Sequence, residues 1–181
     1  MLRSVRSFAS YVADAHRVDA TTFASRFDHL FLVKRPRDRA AAASASAIEY
    51  RTALVRCRPE AETLEGEAFA RSWLVEPVRK REGNPFPDRV SIGRAVNCDI
   101  VLRVPYVSKL HAHLLLEDGA PMRLADLRSA NGTWVNGREL SPGEIVGVAA
   151  GDMLRFGAAE LRIATSAQLH ALLLSVEVPS A

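Results

Sequence analysis

The stretch MRLADLRSANGTWVNGREL, residues 122–140, holds two short apolar segments, MRLADL and TWV, and two Asn-Gly pairs. Asn136-Gly137 stands between TWV and REL, which is the signature of a two-residue β-hairpin. Both central positions of its type I′ turn need positive φ, which Asn and Gly tolerate best. Outward from this hairpin the same texture continues in both directions. SWLVEPV, RVSIG, DIVLRV and HAHLLLE precede it; EIVGV, DMLRFG and AELRIA follow. Turn signals divide them, among them Asp118-Gly119, Pro142-Gly143 and Gly151-Asp152. Many short strands at this spacing predict an all-β sandwich or barrel over residues 71–165. Trp73, Trp134 and Cys98 read as its packing residues.

The flanks read differently. In residues 1–35, Phe23, Phe27, Leu30 and Phe31 fall on one helical stripe that Asp19 can cap, so this region is expected to be helical. Residues 36–70 read as a linker, first Ala/Ser-rich and then acidic. Ile48, Tyr50, Thr52 and Leu54 suggest a lone strand within it. Leu169, Leu172, Leu173 and Val176 mark a short helix in the tail, residues 166–181. The fold expected is therefore mainly β, a two-sheet sandwich with a small helical N-terminal region and a short C-terminal helix.

Composition narrows the function. The chain of 181 residues is 48% hydrophobic and 25% charged, a globular balance, with a net charge of +3. Residues 1–89 carry 16 basic and 12 acidic side chains, whereas residues 90–181 carry 8 and 9. That balance argues against a nucleic-acid coat. No apolar run reaches the roughly 18–20 residues that span a bilayer, so no membrane insertion is expected. The opening MLRSVRSFASYVADAH is broken by Ser7, Ser10 and Asp14, unlike a secretory leader. Cys57 and Cys98 form no CxxC pair, and the setting expected is cytoplasmic.

Three clusters at strand ends carry the chemistry: Gly93-Arg94, then Ser108-Lys109-Leu110-His111-Ala112, then Asp126-Leu127-Arg128-Ser129-Ala130-Asn131-Gly132-Thr133. Brought together, they would offer a guanidinium, a hydroxyl, an ammonium and a carboxamide. That set holds an oxyanion. It contains no nucleophile beside a base, no metal-ligand set and no nucleotide loop, so neither an enzyme nor a cofactor is expected.

In this order the motifs GR, S-x-x-H and S-x-N-G-T, followed by the WVNG hairpin, resemble the forkhead-associated (FHA) domain, in a bacterial style. The resemblance covers about residues 71–165 and implies a phosphothreonine-dependent adaptor whose partners are phosphothreonine-containing proteins, a Ser/Thr kinase or its substrate among them. It implies that Arg94 and Ser108 grip the phosphate, Ser108 with both hydroxyl and backbone amide, and that Lys109 adds charge or a backbone contact. Asn131 would hold the peptide main chain. Gly93, His111 and Gly132 would shape the loops, with His111 a structural histidine. Two positions depart from the family pattern. Ala130 lacks a hydroxyl, and the loop Arg103–Val107 lacks an aspartate. Tyr106 would instead favour an apolar or aromatic residue three positions after the phosphothreonine, and Arg128, with Arg103, acidic flanks. Two other readings stay open: a phosphate-independent scaffold or self-association module, and an intramolecular switch in which Thr63, Thr21 or Thr22 is the phosphorylated residue.

Overall fold

The computed structural model describes residues 6–36, 72–117 and 119–176. Two short helices come first, α1 (Phe8–Ala15) and α2 (Ala20–Arg26), then a strand, β1 (Phe31–Lys34). Later in the chain come β2 (Leu74–Pro77), β3 (Arg89–Gly93), β4 (Ile100–Val101), β5 (Ala112–Leu115) and β6 (Arg123–Asp126). The chain continues through β7 (Thr133–Val135), β8 (Arg138–Glu139), β9 (Ile145–Gly147), β10 (Met153–Phe156) and β11 (Ala159–Ala164), and closes on α3 (Ser166–Leu174).

The strands form two sheets, ordered β2-β1-β11-β10-β7-β8 and β4-β3-β5-β6-β9. Their facing sides meet in one core, to which Leu32, Ile92, Leu114, Leu124, Leu154 and Ile163 contribute fully buried side chains. Period-two alternation makes this possible. In β11, Ala159, Leu161 and Ile163 turn inward while Glu160 and Arg162 are exposed. The hairpin of residues 134–139 forms as its Asn-Gly pair requires, with φ of 51° at Asn136 and 83° at Gly137.

The helical stripe near the N-terminus ends sooner than its spacing predicts. Asp19 does cap α2, accepting the Thr21 and Thr22 amides at 2.9 Å each. The helix stops at Arg26, and Phe31 lies in β1, paired antiparallel with both β11 and β2. The sandwich thus takes a strand from ahead of the span 71–165. The apolar stripe is nonetheless used as one surface. Phe23, Phe27 and Phe31 meet Tyr11, Leu169 and Leu173 in a second cluster on the outer face of the six-stranded sheet. Its lid is fixed by α3, whose Thr165 and Gln168 form a capping box. His170 of the same helix donates Nε2–H to the Ala15 and Val18 carbonyls at 3.1 and 3.0 Å.

Lys34 pairs with Leu74, so residues 35–73 connect two neighbouring strands of one sheet. The lone strand expected over residues 48–54, Cys57 and Thr63 lie outside the described residues. Strand directions fix where this connection leaves the sheet. Thr133 at the start of β7 is opposite Phe156 at the end of β10, and Ala159 opens β11 beside it. Because β1 runs antiparallel to β11, its Lys34 end faces this same end of the sandwich.

Candidate functional site

The connections β3–β4, β4–β5 and β6–β7 converge at that end. Gly93 closes β3 where a Cβ would collide with the Lys109 carbonyl, so only glycine permits the close approach. Backbone bonds then lace the first two connections. Arg94 donates its amide to the Ser108 carbonyl at 2.9 Å, and Ala95 donates to the Lys109 carbonyl at 3.0 Å. Arg94 is exposed, and its Nε donates to the Val107 carbonyl at 3.2 Å, which orients the guanidinium. Among the described residues it forms no ion pair. Its charge and terminal N–H groups are available to an anion.

His111 joins the second connection to the third. Its ring is fully buried; Nδ1 accepts the Ser108 N–H at 3.0 Å, and Nε2 lies 3.0 Å from the Gly132 carbonyl. A nitrogen that accepts carries no proton, so the proton sits on Nε2 and is donated to Gly132. Burial holds the His111 pKa below the ordinary imidazole value, although the Gly132 carbonyl and Asp126 pull the other way. This geometry corrects one expectation. The Ser108 amide does not face the anion site, because it is committed inward to His111. The next amide along, that of Lys109, has no acceptor among the described residues and lies on an exposed residue.

The Ser108 hydroxyl is placed from the third connection. Its oxygen accepts the Ala130 N–H at 3.1 Å, which leaves its own hydrogen to donate outward. Ala130, which has no hydroxyl of its own, positions the Ser108 hydroxyl through its backbone. Asn131 donates Nδ2–H to the Tyr106 carbonyl at 2.9 Å, tying the third connection back to the second. Gly132 adopts φ of 77°, and a Cβ there would strike the Trp134 ring. Tyr106 and Arg128 are both exposed at positive φ, 73° and 54°.

Gly93, Arg94, Ser108, Lys109, His111, Asn131 and Gly132 therefore assemble at one end of the sandwich, with Tyr106 and Arg128 on the same connections. Two carboxylates, Asp126 inside the third cluster and Asp99, had no role in the sequence reading. Asp126 accepts the Ser129 and Thr133 hydroxyls at 2.6 and 2.7 Å and the Ser129 amide at 3.2 Å, pinning both ends of the third connection. Burial would raise its pKa, but these bonds outweigh it and hold the carboxyl below its ordinary value. The D-x-x-S-x-x-x-T spacing was the available signal. Asp99 does the same for the segment before β3, accepting from Ser91 and Asn84 through Oδ2 and from the Arg81 amide through Oδ1.

A sequence model of the FHA domain matches residues 90–157. The chain carries an FHA domain. Over 67 residues, 36% of this chain, it is 34% identical to the FHA domain-containing protein PS1 of Arabidopsis thaliana, of which it spans 4%. Among solved structures, Mycobacterium tuberculosis EmbR in complex with a low-affinity phosphopeptide is 27% identical, with a TM-score of 0.42, over 51% of this chain and 22% of that one. A structure from an analysis of phosphothreonine-dependent FHA domain interactions is 30% identical, with a TM-score of 0.41, over 50% of this chain and 83% of that one. The match places the three connections within the FHA domain and leaves α1, α2, β1, β2, β11 and α3 outside the matched residues. No helix among the described residues is long and apolar enough to cross a membrane.

Proposed function

We propose that this protein is an adaptor that binds phosphothreonine-containing segments of partner proteins, the substrates of a Ser/Thr kinase or the kinase itself. The observation that carries the reading is the convergence of an exposed Arg94 guanidinium with a Ser108 hydroxyl whose oxygen is already engaged by Ala130. A phosphothreonine brings nearly two negative charges and three strong acceptors. Arg94 supplies charge and a planar pair of donors, Ser108 one hydroxyl, and Lys109 an ammonium and an amide. Each such charge-assisted bond contributes about 1.5–3 kcal/mol. Asn131, positioned by its bond to the Tyr106 carbonyl, contacts the peptide main chain. Arg128 favours acidic flanking residues. The site's donors suit holding an anion, and the function is recognition rather than catalysis.

A degenerate phosphothreonine peptide library, run beside phosphoserine and unphosphorylated versions, tests this with wild type and Arg94→Ala. Capture that needs phosphothreonine and is lost in the variant supports the reading. Capture that is indifferent to phosphate, by a folded protein, replaces it with the phosphate-independent scaffold.

One observation favours a second reading, occupation of the site by the chain's own phosphothreonine. The connection of residues 35–73, which includes Thr63, leaves the sheet at the end where the candidate loops converge. Intramolecular docking gains from a high effective concentration. Thr22 is a poorer candidate than Thr63, since its amide and hydroxyl are both bonded to Asp19 in the α2 cap. Protein carrying phosphate on Thr63 should bind an external phosphothreonine peptide more weakly than the unmodified chain. Equal affinities would discard this reading and leave the first intact.

A further inference from the structure

Tyr106 is an aromatic residue held at φ of 73°, a left-handed conformation that bulky side chains rarely adopt. Strain of this kind persists only where surrounding structure over-determines it, and it concentrates at binding sites. The Tyr106 carbonyl lies against two residues of other connections. One is Asn131, through its side chain at 2.9 Å. The other belongs to none of the three motifs: Gly157, in the turn between β10 and β11, where a Cβ would collide with the Tyr106 carbonyl. Gly157 also donates its amide to the Gly132 carbonyl at 3.0 Å, the same oxygen that receives the His111 Nε2–H.

Resting on the proposed phosphothreonine reading, we infer that the β10–β11 turn is a fourth part of the binding face, and that Gly157 is a positioning residue that fixes Tyr106 and thereby sets selectivity for the residues flanking the phosphothreonine. The phosphate grip has separate anchors. Arg94 is set by the Ser108 and Val107 carbonyls, and Ser108 by His111 and Ala130. Alanine at 157 keeps the N–H that bonds Gly132, takes the room of the Tyr106 carbonyl and, at φ of 56°, adds backbone strain. Disturbing the turn therefore separates flank reading from phosphate holding.

The test compares a capped phosphothreonine amino acid with the best library peptide on wild type, Gly157→Ala, Tyr106→Gly and the double variant. Gly151→Ala serves as a control for backbone strain alone, since φ there is 103° and nothing lies within 4 Å of an added Cβ. Gly157→Ala should lose about tenfold in peptide affinity and its discrimination among flanking residues, while binding of the capped amino acid stays within about twofold. In the Tyr106→Gly background the second change should add nothing, because a glycine at 106 can move its carbonyl aside. Equal losses for both ligands in Gly157→Ala would make Gly157 merely structural and overturn the inference. Should Gly157→Ala fail to fold, Tyr106→Gly decides alone: unaltered flank selectivity overturns the inference, and lost selectivity with retained phosphothreonine binding upholds it. A folded wild type that ignores every phosphothreonine ligand overturns the functional reading, and this inference with it.

Discussion

The backbone N–H of Ser108 is donated to Nδ1 of His111 at 3.0 Å, so the residue that presents the site's hydroxyl is anchored through its own amide to the buried ring behind it. Nε2 of that ring reaches the Gly132 carbonyl, and the two bonds together hold the second and third connections in register. The arrangement works only while the imidazole is neutral, because a proton on Nδ1 would confront the Ser108 N–H.

Stability should therefore depend on pH through His111. Burial lowers its pKa in the folded chain, so the unfolded chain binds the proton more readily. The contribution is complete above the ordinary imidazole value of about 6.5 and is lost as pH falls below it toward the folded pKa. His29 and His113 are depressed in the same direction, so the measurement is a difference. The gap in melting temperature between wild type and His111→Gln should be widest at neutral pH and shrink in acid. A gap that stays constant across that range would show that burial does not hold the ring neutral in the folded chain.

Ser108→Ala should separate binding from stability. The hydroxyl accepts the Ala130 N–H at an exposed position, where water can replace it, so the fold should lose no more than about 1 kcal/mol. A charge-assisted bond to phosphate contributes about 1.5–3 kcal/mol, and its loss should weaken phosphothreonine binding by about tenfold or more. Calorimetric titration beside thermal melts checks both. Unchanged affinity would place the hydroxyl outside the phosphate site.

Local chemistry made most of this legible in the sequence. RVSIG and AELRIA became β3 and β11 without a shift of boundary, and the Asn136-Gly137 turn formed because its dihedral demand is encoded in two adjacent residues. Gly93, Arg94, Ser108, His111 and Asn131 could be picked out through the resemblance of their motifs, each at a strand end, to the FHA family. What escaped was non-local. Phe31 belongs to an apolar stripe at helical spacing, yet its backbone partners are Ala164 and Pro77, far along the chain. No local pattern could weigh those pairings against a few more residues of helix. The inward turn of the Ser108 amide likewise depends on where the His111 ring is buried, and the part played by Gly157 on a carbonyl 51 residues earlier.

Asp126 offers a test of how firmly the third connection must be held. Its carboxylate gathers the Ser129 and Thr133 hydroxyls and the Ser129 amide, all of which can donate to it. Asp126→Asn turns one acceptor oxygen into a donor among donors and should cost about 2 kcal/mol. Although burial alone would raise this carboxyl's pKa, the bonds lower it on balance, so its contribution is present above the ordinary carboxylate value and is lost as pH falls through the folded pKa. The variant should also weaken phosphopeptide binding, since Ala130 and Asn131 lie between its two anchors. Denaturant melts at neutral pH, with peptide titration, would reveal a merely structural carboxylate as lost stability with unaltered binding.

The second apolar cluster makes the opposite prediction. Phe23 is fully buried, with its ring centroid 4.6 Å from that of Phe27 and 5.1 Å from that of His170. Phe23→Ala should cost about 3–5 kcal/mol, the usual penalty for emptying such a site. The cluster lies on the outer face of the six-stranded sheet, and the inner core separates it from the five-stranded sheet that carries Gly93 and His111 at its strand ends. Below the melting range the variant should therefore bind phosphothreonine peptide as wild type does. Lowered affinity in a protein still fully folded would mean that the helical layer and the loops are coupled through β1 and β11, the strands that α3 packs against.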